Sequence, residues 1–189
     1  MRVLVLSLLS FIILSFLPSD RKTKTFVDAR DGQEYQIVKI GKQWWFAENL
    51  NYEIDRSWCH ECEEYGRMYT YEAAMKACPE GWHIPTVEEW KKLISHLGGN
   101  KKAGSKMRSL DKWRNAKTQF NNSSGFSAIP APHRGTRGEV RNPRDARWWS
   151  SDIAPDPAAW AFILKPEDNT IEQLGFYRVS GFSVRCIKD

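Results

Sequence analysis

Cys59-His60-Glu61-Cys62 sets two sulfurs on either side of an imidazole and a carboxylate. Such a pair is a small disulfide, half of a zinc site, or a redox dithiol. A closed zinc site needs four ligands, normally as two separated pairs. A redox CxxC normally opens a helix in a βαβ setting, and the polar run Asn51–Glu64 around this pair has no such pattern. The residues therefore read as a structural Cys59–Cys62 disulfide, with metal binding and redox chemistry as the alternatives. His83, flanked by Trp82 and Ile84, reads as a packed, hydrogen-bonded imidazole rather than a base.

A different chemistry is written between His133 and Arg147. Five arginines, Arg134, Arg137, Arg141, Arg144 and Arg147, occur in that run, and Trp148 and Trp149 follow it directly. Guanidinium presents a planar fork that suits carboxylate, sulfate or phosphate. Arg134, Arg137, Arg141, Arg147 and Trp148 are thus candidate contacts to an acidic glycan or an anionic protein surface; the plainer alternative is a solvated loop kept soluble by its charge. Catalytic signatures are missing: the chain has no Gly-x-Ser-x-Gly elbow, no His-Glu-x-x-His and no phosphate-cradling glycine loop. Asp152, Asp156, Glu167 and Asp168 could approach one another as paired carboxylates, but no spacing singles them out.

The elements that must carry these groups follow from periodicity and turn residues. Residues 26–47 read as a meander of strands, with Asp31-Gly32 and Gly41-Lys42 as turns. Thr70 caps a short helix running to Ala77. A second helix begins at a capping box, Thr86 with Glu89, and carries Trp90, Leu93, Ile94 and Leu97 on one face before Gly98-Gly99 ends it. Residues 100–122 are polar and basic, with Leu110 and Trp113 as anchors. Strands are expected at 125–131, 147–151 and 181–187, and a hairpin at 159–164 and 170–176 around Pro166-Glu167-Asp168-Asn169. Strands at both ends and two helices between them predict a single α+β domain, residues 20–189, with its terminal strands close together.

Residues 1–19 have a different character. One positive charge and an apolar run to Leu17 are followed by Pro18 and Ser19, the pattern of a secretory signal peptide cut after Ser19. An uncleaved anchor is the alternative, and the only membrane contact expected. Four cysteines behind an export signal suggest two disulfides. The net charge of +5 comes without a basic helix or a nucleic-acid motif, so nucleic acid is not an expected partner.

The order of several short motifs resembles the Fibrobacter succinogenes major paralogous domain family. The pieces are Asp31-Gly32-Gln33-Glu34-Tyr35, Trp45-Phe46-Ala47-Glu48-Asn49-Leu50, Tyr65-Gly66-Arg67-Met68-Tyr69, Ala77-Cys78-Pro79-Glu80-Gly81-Trp82-His83-Ile84-Pro85-Thr86, Gly125-Phe126-Ser127-Ala128, Trp149-Ser150-Ser151 and Gly181-Phe182-Ser183-Val184-Arg185-Cys186. The resemblance implies a C-type lectin-like fold, close to formylglycine-generating-enzyme-like domains, with mixed or antiparallel sheet. It implies that Cys78 pairs with Cys186. It also implies a ligand surface on the late loops, which adds Trp160, Tyr177 and Arg178 as candidates. Many domains of that fold bind calcium; here Trp149-Ser150-Ser151-Asp152 offers a single carboxylate, Asp152, where calcium wants six to eight oxygens. The expectation is a cofactor-free, non-catalytic binding module for a glycan or a cell-surface protein, outside the cytoplasm. A purely structural or adhesive component is the alternative, and an enzyme related to the formylglycine generators the second.

Overall fold

The structure is a computed structural model that describes residues 23–113 and 118–189. The apolar leader expected at residues 1–19 lies outside the described residues. No described helix is long and apolar enough to cross a membrane.

The chain runs β1 (Thr23–Val27), β2 (Glu34–Ile40), β3 (Gln43–Phe46), β4 (Ser57–Trp58), α1 (Cys62–Tyr65), β5 (Met68–Tyr69), α2 (Tyr71–Ala74), β6 (Trp82–His83), α3 (Val87–His96), α4 (Asn100–Met107), β7 (His133–Arg134), β8 (Val140–Arg141), β9 (Ala146–Ile153), β10 (Ala158–Leu164), β11 (Ile171–Tyr177) and β12 (Ile187–Lys188). The largest sheet has the order β1-β2-β3-β12-β6, and its pairs are antiparallel. Ile187 sits opposite both Trp45 and His83, so the last strand is inserted beside the first three. A three-stranded antiparallel sheet, β11-β10-β9, forms the second layer, and β4-β5 and β7-β8 are short ribbons.

Strand alternation sends successive side chains to opposite faces, and here both faces are covered. Trp45 joins one apolar cluster with Trp90, Phe126, Trp148 and Phe162, while its neighbour Phe46 joins another with Tyr35, Trp82, Trp149 and Phe182. Trp148 and Trp149 part in the same way and are both fully buried. Strands covered on both faces read as continuous apolar runs, as β10 does.

α3 follows the expected design. Thr86 Oγ1 accepts from the Glu89 amide at 3.2 Å, and Glu89 Oε2 accepts from the Thr86 amide at 2.8 Å. Trp90, Leu93, Ile94 and Leu97 are buried, and the Gly99 amide closes the end on Ile94 O at 2.9 Å. The helix capped by Thr70 is shorter than expected. It ends at Ala74 because Lys76 and Ala77 donate three residues back, at 3.0 and 3.1 Å, tightening the chain before Cys78.

Four expectations need correction, the first being Leu110, which was expected as an anchor beside Trp113 and is 68% exposed, while Trp113 is buried. Four short helices form among the described residues, not two. α4 arises in the polar, basic stretch to which no element was assigned, because tertiary bonds hold it: Ala103, Gly104 and Met107 are buried, and the Gly104 amide donates to Asn169 O at 3.0 Å. Residues 125–131 form no strand; Ala128 makes one parallel bridge to Arg108. Of the expected strand 181–187 only its end belongs to β12, and Gly181, Phe182 and Ser183 make isolated bridges to Arg134, Tyr69 and Trp148.

Two disulfides close the described chain. Cys78–Cys186 spans 108 residues with a Cα–Cα distance of 5.9 Å, and Cys59–Cys62 spans three with 5.0 Å. Paired cysteines of this kind persist in oxidising compartments and point to a protein working outside the cytoplasm.

Candidate functional site

The β7-β8 ribbon hangs from the body of the protein by main-chain bonds. Arg134 and Gly181 exchange both of theirs, at 2.9 and 2.8 Å, and the Gly135 amide donates to Glu139 O at 2.8 Å across the turn. Between this ribbon and β11 lies a groove of about 520 Å3, within the usual range of about 300–1,000 Å3 for small-ligand sites.

Its lining brings together Arg134, Arg141, Arg147 and Tyr177 from the expected residues, with Phe176 and Phe182. Phe176 and Phe182 meet edge to face at 5.0 Å. Arg147 lies over both rings, at 5.5 and 5.6 Å, held by a two-pronged pair to Asp145 at 2.9 and 2.8 Å. Arg141 pairs with Glu139 at 3.1 Å. Arg134 lies 4.1 Å over the Trp58 ring and makes no ion pair among the described residues. Tyr177 is 58% exposed at the groove's edge.

His133 lines the same groove and is buried. Its Nδ1 has no hydrogen-bond partner among the described residues and stands 4.0 Å from Asp145 Oδ1. Burial pushes the imidazole down to about 4, and the Arg147 cation adds to the shift. The ring is therefore neutral at physiological pH. It is a wall of the groove and not a charged contact.

Other expected residues lie elsewhere. Trp148 cannot contact a ligand: it is fully buried, packs on Trp90 at 5.8 Å and Phe126 at 5.6 Å, and donates its indole N–H to Asn49 Oδ1 at 3.0 Å. Asp152 is committed to the fold, since its Oδ2 accepts from the Val87 amide at 2.5 Å and so caps the first turn of α3. Trp160 is half-buried against the α3 cluster, whereas Phe176 packs on the opposite cluster, so the two rings occupy opposite faces of the sheet. Arg137 is exposed in the β7-β8 turn, outside the groove lining. Arg178 follows Tyr177 but bonds Asp156 at 2.8 Å and faces Glu72 at 3.9 Å.

The scattered carboxylates likewise take separate partners: Asp156 has Arg178, Glu167 has Arg144 at 2.7 Å, and Asp168 accepts from the Thr170 amide at 2.7 Å. His83 is a bridging group, its Nδ1 2.5 Å from Asp189 and its Nε2 3.0 Å from Glu89. Among the described residues no three His, Cys, Asp or Glu side chains gather closely enough to share a metal ion.

Sequence reasoning missed Phe176, Phe182 and His133 as groove residues, and Trp58 as the ring beneath Arg134. Phe182 read as a buried strand position, and Trp58 lies in a polar segment with no period. Only the adjacency of arginine and aromatic residues was visible beforehand.

The family model described as the Fibrobacter succinogenes major domain matches residues 38–188, from the middle of β2 to the end of β12. No curated protein and no solved structure matches the chain.

Proposed function

The chain belongs to the Fibrobacter succinogenes major domain family, and from that premise we propose that it is an exported, non-catalytic binding module for an acid-bearing glycan at a cell surface. The observation that carries this reading is Arg134, a guanidinium laid on Trp58 at the groove with no carboxylate of its own among the described residues. Aromatic faces stack on sugar rings at low ordering cost, and a guanidinium supplies the matching donors for a uronate or sulfate. Tyr177, exposed beside it, offers both a ring and a hydroxyl.

We assign the fold to the C-type lectin-like class. The pairing of the last strand beside the first three, the 108-residue disulfide loop and a second small sheet carrying the groove support that assignment. Export is supported by the two disulfides and by the apolar leader at residues 1–19. Binding rather than catalysis is supported by the separate engagement of each candidate carboxylate.

The test is a binding screen of the mature domain against uronate-bearing, sulfated and neutral glycans, with an anionic protein as a further arm. Selective, salt-sensitive binding to the acidic glycans that Arg134→Ala and Tyr177→Ala both weaken is the expected result. Binding to neutral glycans alone, or to the anionic protein alone, would overturn it.

A further inference from the structure

A second cleft, of about 420 Å3, shares no lining residue with the arginine groove. Its charge is of the opposite sign. Glu34, Glu48, Glu63, Glu64 and Asp111 line it, against Lys112 and Arg185. Lys112 is paired with Glu64 at 2.9 Å, and Arg185 spends its donors on Asn49 and three main-chain carbonyls. The cleft therefore presents net negative charge on a chain whose total is +5.

Independent of charge, two residues of the lining carry buried polar atoms with nothing to bond among the described residues. Ser109 is 6% exposed, and its Oγ has no hydrogen-bond partner among the described residues. The Asn51 side-chain oxygen is likewise unpartnered. A buried hydroxyl and amide oxygen left unmatched are costly, and both can accept from a ligand's N–H or O–H. The carboxylates are too dispersed to close on a metal ion, since no described group of three gathers to that extent. Dispersed negative charge around unmatched acceptors suits a larger, donor-rich cation.

We propose that this cleft binds a small polyhydroxylated amine, with its ammonium among the carboxylates and its hydroxyls directed to Ser109 and Asn51. The size agrees, because the cleft falls within the usual range for a small ligand. This inference does not rest on the arginine groove, and the two sites can fail separately.

Glucosamine, N-acetylglucosamine and glucose make a matched series in which only the first carries the cation. Titration of the purified protein with each, followed by calorimetry or amide chemical shifts, should show glucosamine bound at least about fivefold tighter than the others, the factor that one or two solvent-facing ion contacts supply. The Glu63→Gln/Asp111→Asn double variant, altered only at exposed positions, should erase that preference. Ser109→Ala should weaken glucosamine with no loss in the unfolding midpoint, and Tyr177→Ala should leave it unchanged. Equal affinity for the three sugars, or a preference that survives the double variant, would overturn the proposal.

Discussion

Arg185 donates its Nε–H to Asn49 Oδ1 at 2.7 Å, and both side chains are buried. The same amide oxygen accepts the Trp148 indole N–H at 3.0 Å, while Asn49 Nδ2 donates to Tyr65 O at 2.9 Å. The rest of the guanidinium reaches Phe46 O at 3.1 Å, Phe126 O at 2.7 Å and Ser127 O at 3.1 Å. Burial lowers this guanidinium to about 9, so it is still a cation at neutral pH. Its charge is spread over oxygens of four residues, from two stretches of chain, and not matched by one carboxylate.

Replacing that cation with an apolar group should be severe. Arg185→Met leaves several buried acceptors unmatched, each worth about 1–3 kcal/mol. The expected loss is on the order of 3–5 kcal/mol in urea unfolding. Arg185→Lys should recover little, because one ammonium cannot span the same fork. A loss below about 1 kcal/mol in Arg185→Met would contradict the network.

The two disulfides should differ in weight. Removing Cys78–Cys186 by paired serine substitution opens a loop of 108 residues, worth up to about 4.7 kcal/mol by chain entropy. Removing Cys59–Cys62 opens a loop of three, for which the same relation gives roughly 2 kcal/mol. Thermal melts of the two double variants should rank in that order.

The histidines should give opposite pH slopes. At His83 burial opposes the cation, but bonds to Asp189 and Glu89 outweigh it and raise the folded pKa above 6.5. Its contribution is present below pH 6.5 and is lost as pH rises through the raised value. His133 is held down from 6.5 to about 4, so its contribution is present above pH 6.5 and lost as pH falls toward 4. Melting temperatures across this span should flatten on the alkaline side in His83→Asn and on the acid side in His133→Gln. A His133→Gln profile that parallels the parent below pH 6.5 would count against the buried neutral ring.

Arginines only three residues apart should separate in binding. Arg134 lines the groove and Arg137 does not. Arg134→Ala should weaken an acidic glycan about tenfold or more, the effect of one charge-assisted hydrogen bond. Arg137→Ala should change affinity by less than about twofold. Equal effects would mean that recognition depends on the loop's total charge and not on its geometry.

Gly104 should resist the usual benefit of alanine in a helix. Alanine gains about 1 kcal/mol by propensity, but a Cβ here would stand 2.5 Å from Asn169 O and 2.6 Å from Leu164 Cδ1. Overpacking of about 1–3 kcal/mol should win, so Gly104→Ala is expected to unfold at lower denaturant.

How much of this could be read from the chain depends on the range of the interaction. The Thr86–Glu89 cap and the stripe from Trp90 to Leu97 are local, and α3 formed as its sequence implied. The Ala158–Tyr177 hairpin was legible for the same reason. α4 was not, because Asn100–Met107 has weak local preference and is held by Asn169 in the turn after β10. Trp148 and Trp149 looked like one aromatic display because nothing in their spacing says that both faces of β9 are covered. Asp152 looked free because its partner amide lies 65 residues away. Arg134 and Arg147 were recognised as candidates, yet the Phe176–Phe182 floor that gives them a common site depends on tertiary pairing alone.

The β7-β8 ribbon is anchored at Gly181 through amide and carbonyl groups alone, bonds that any residue but proline can make at the Arg134 position. Natural variation there can therefore rewrite the hairpin's side chains while the anchoring points persist. Exchanging that one short finger would leave the knot of bonded residues around Asn49 untouched.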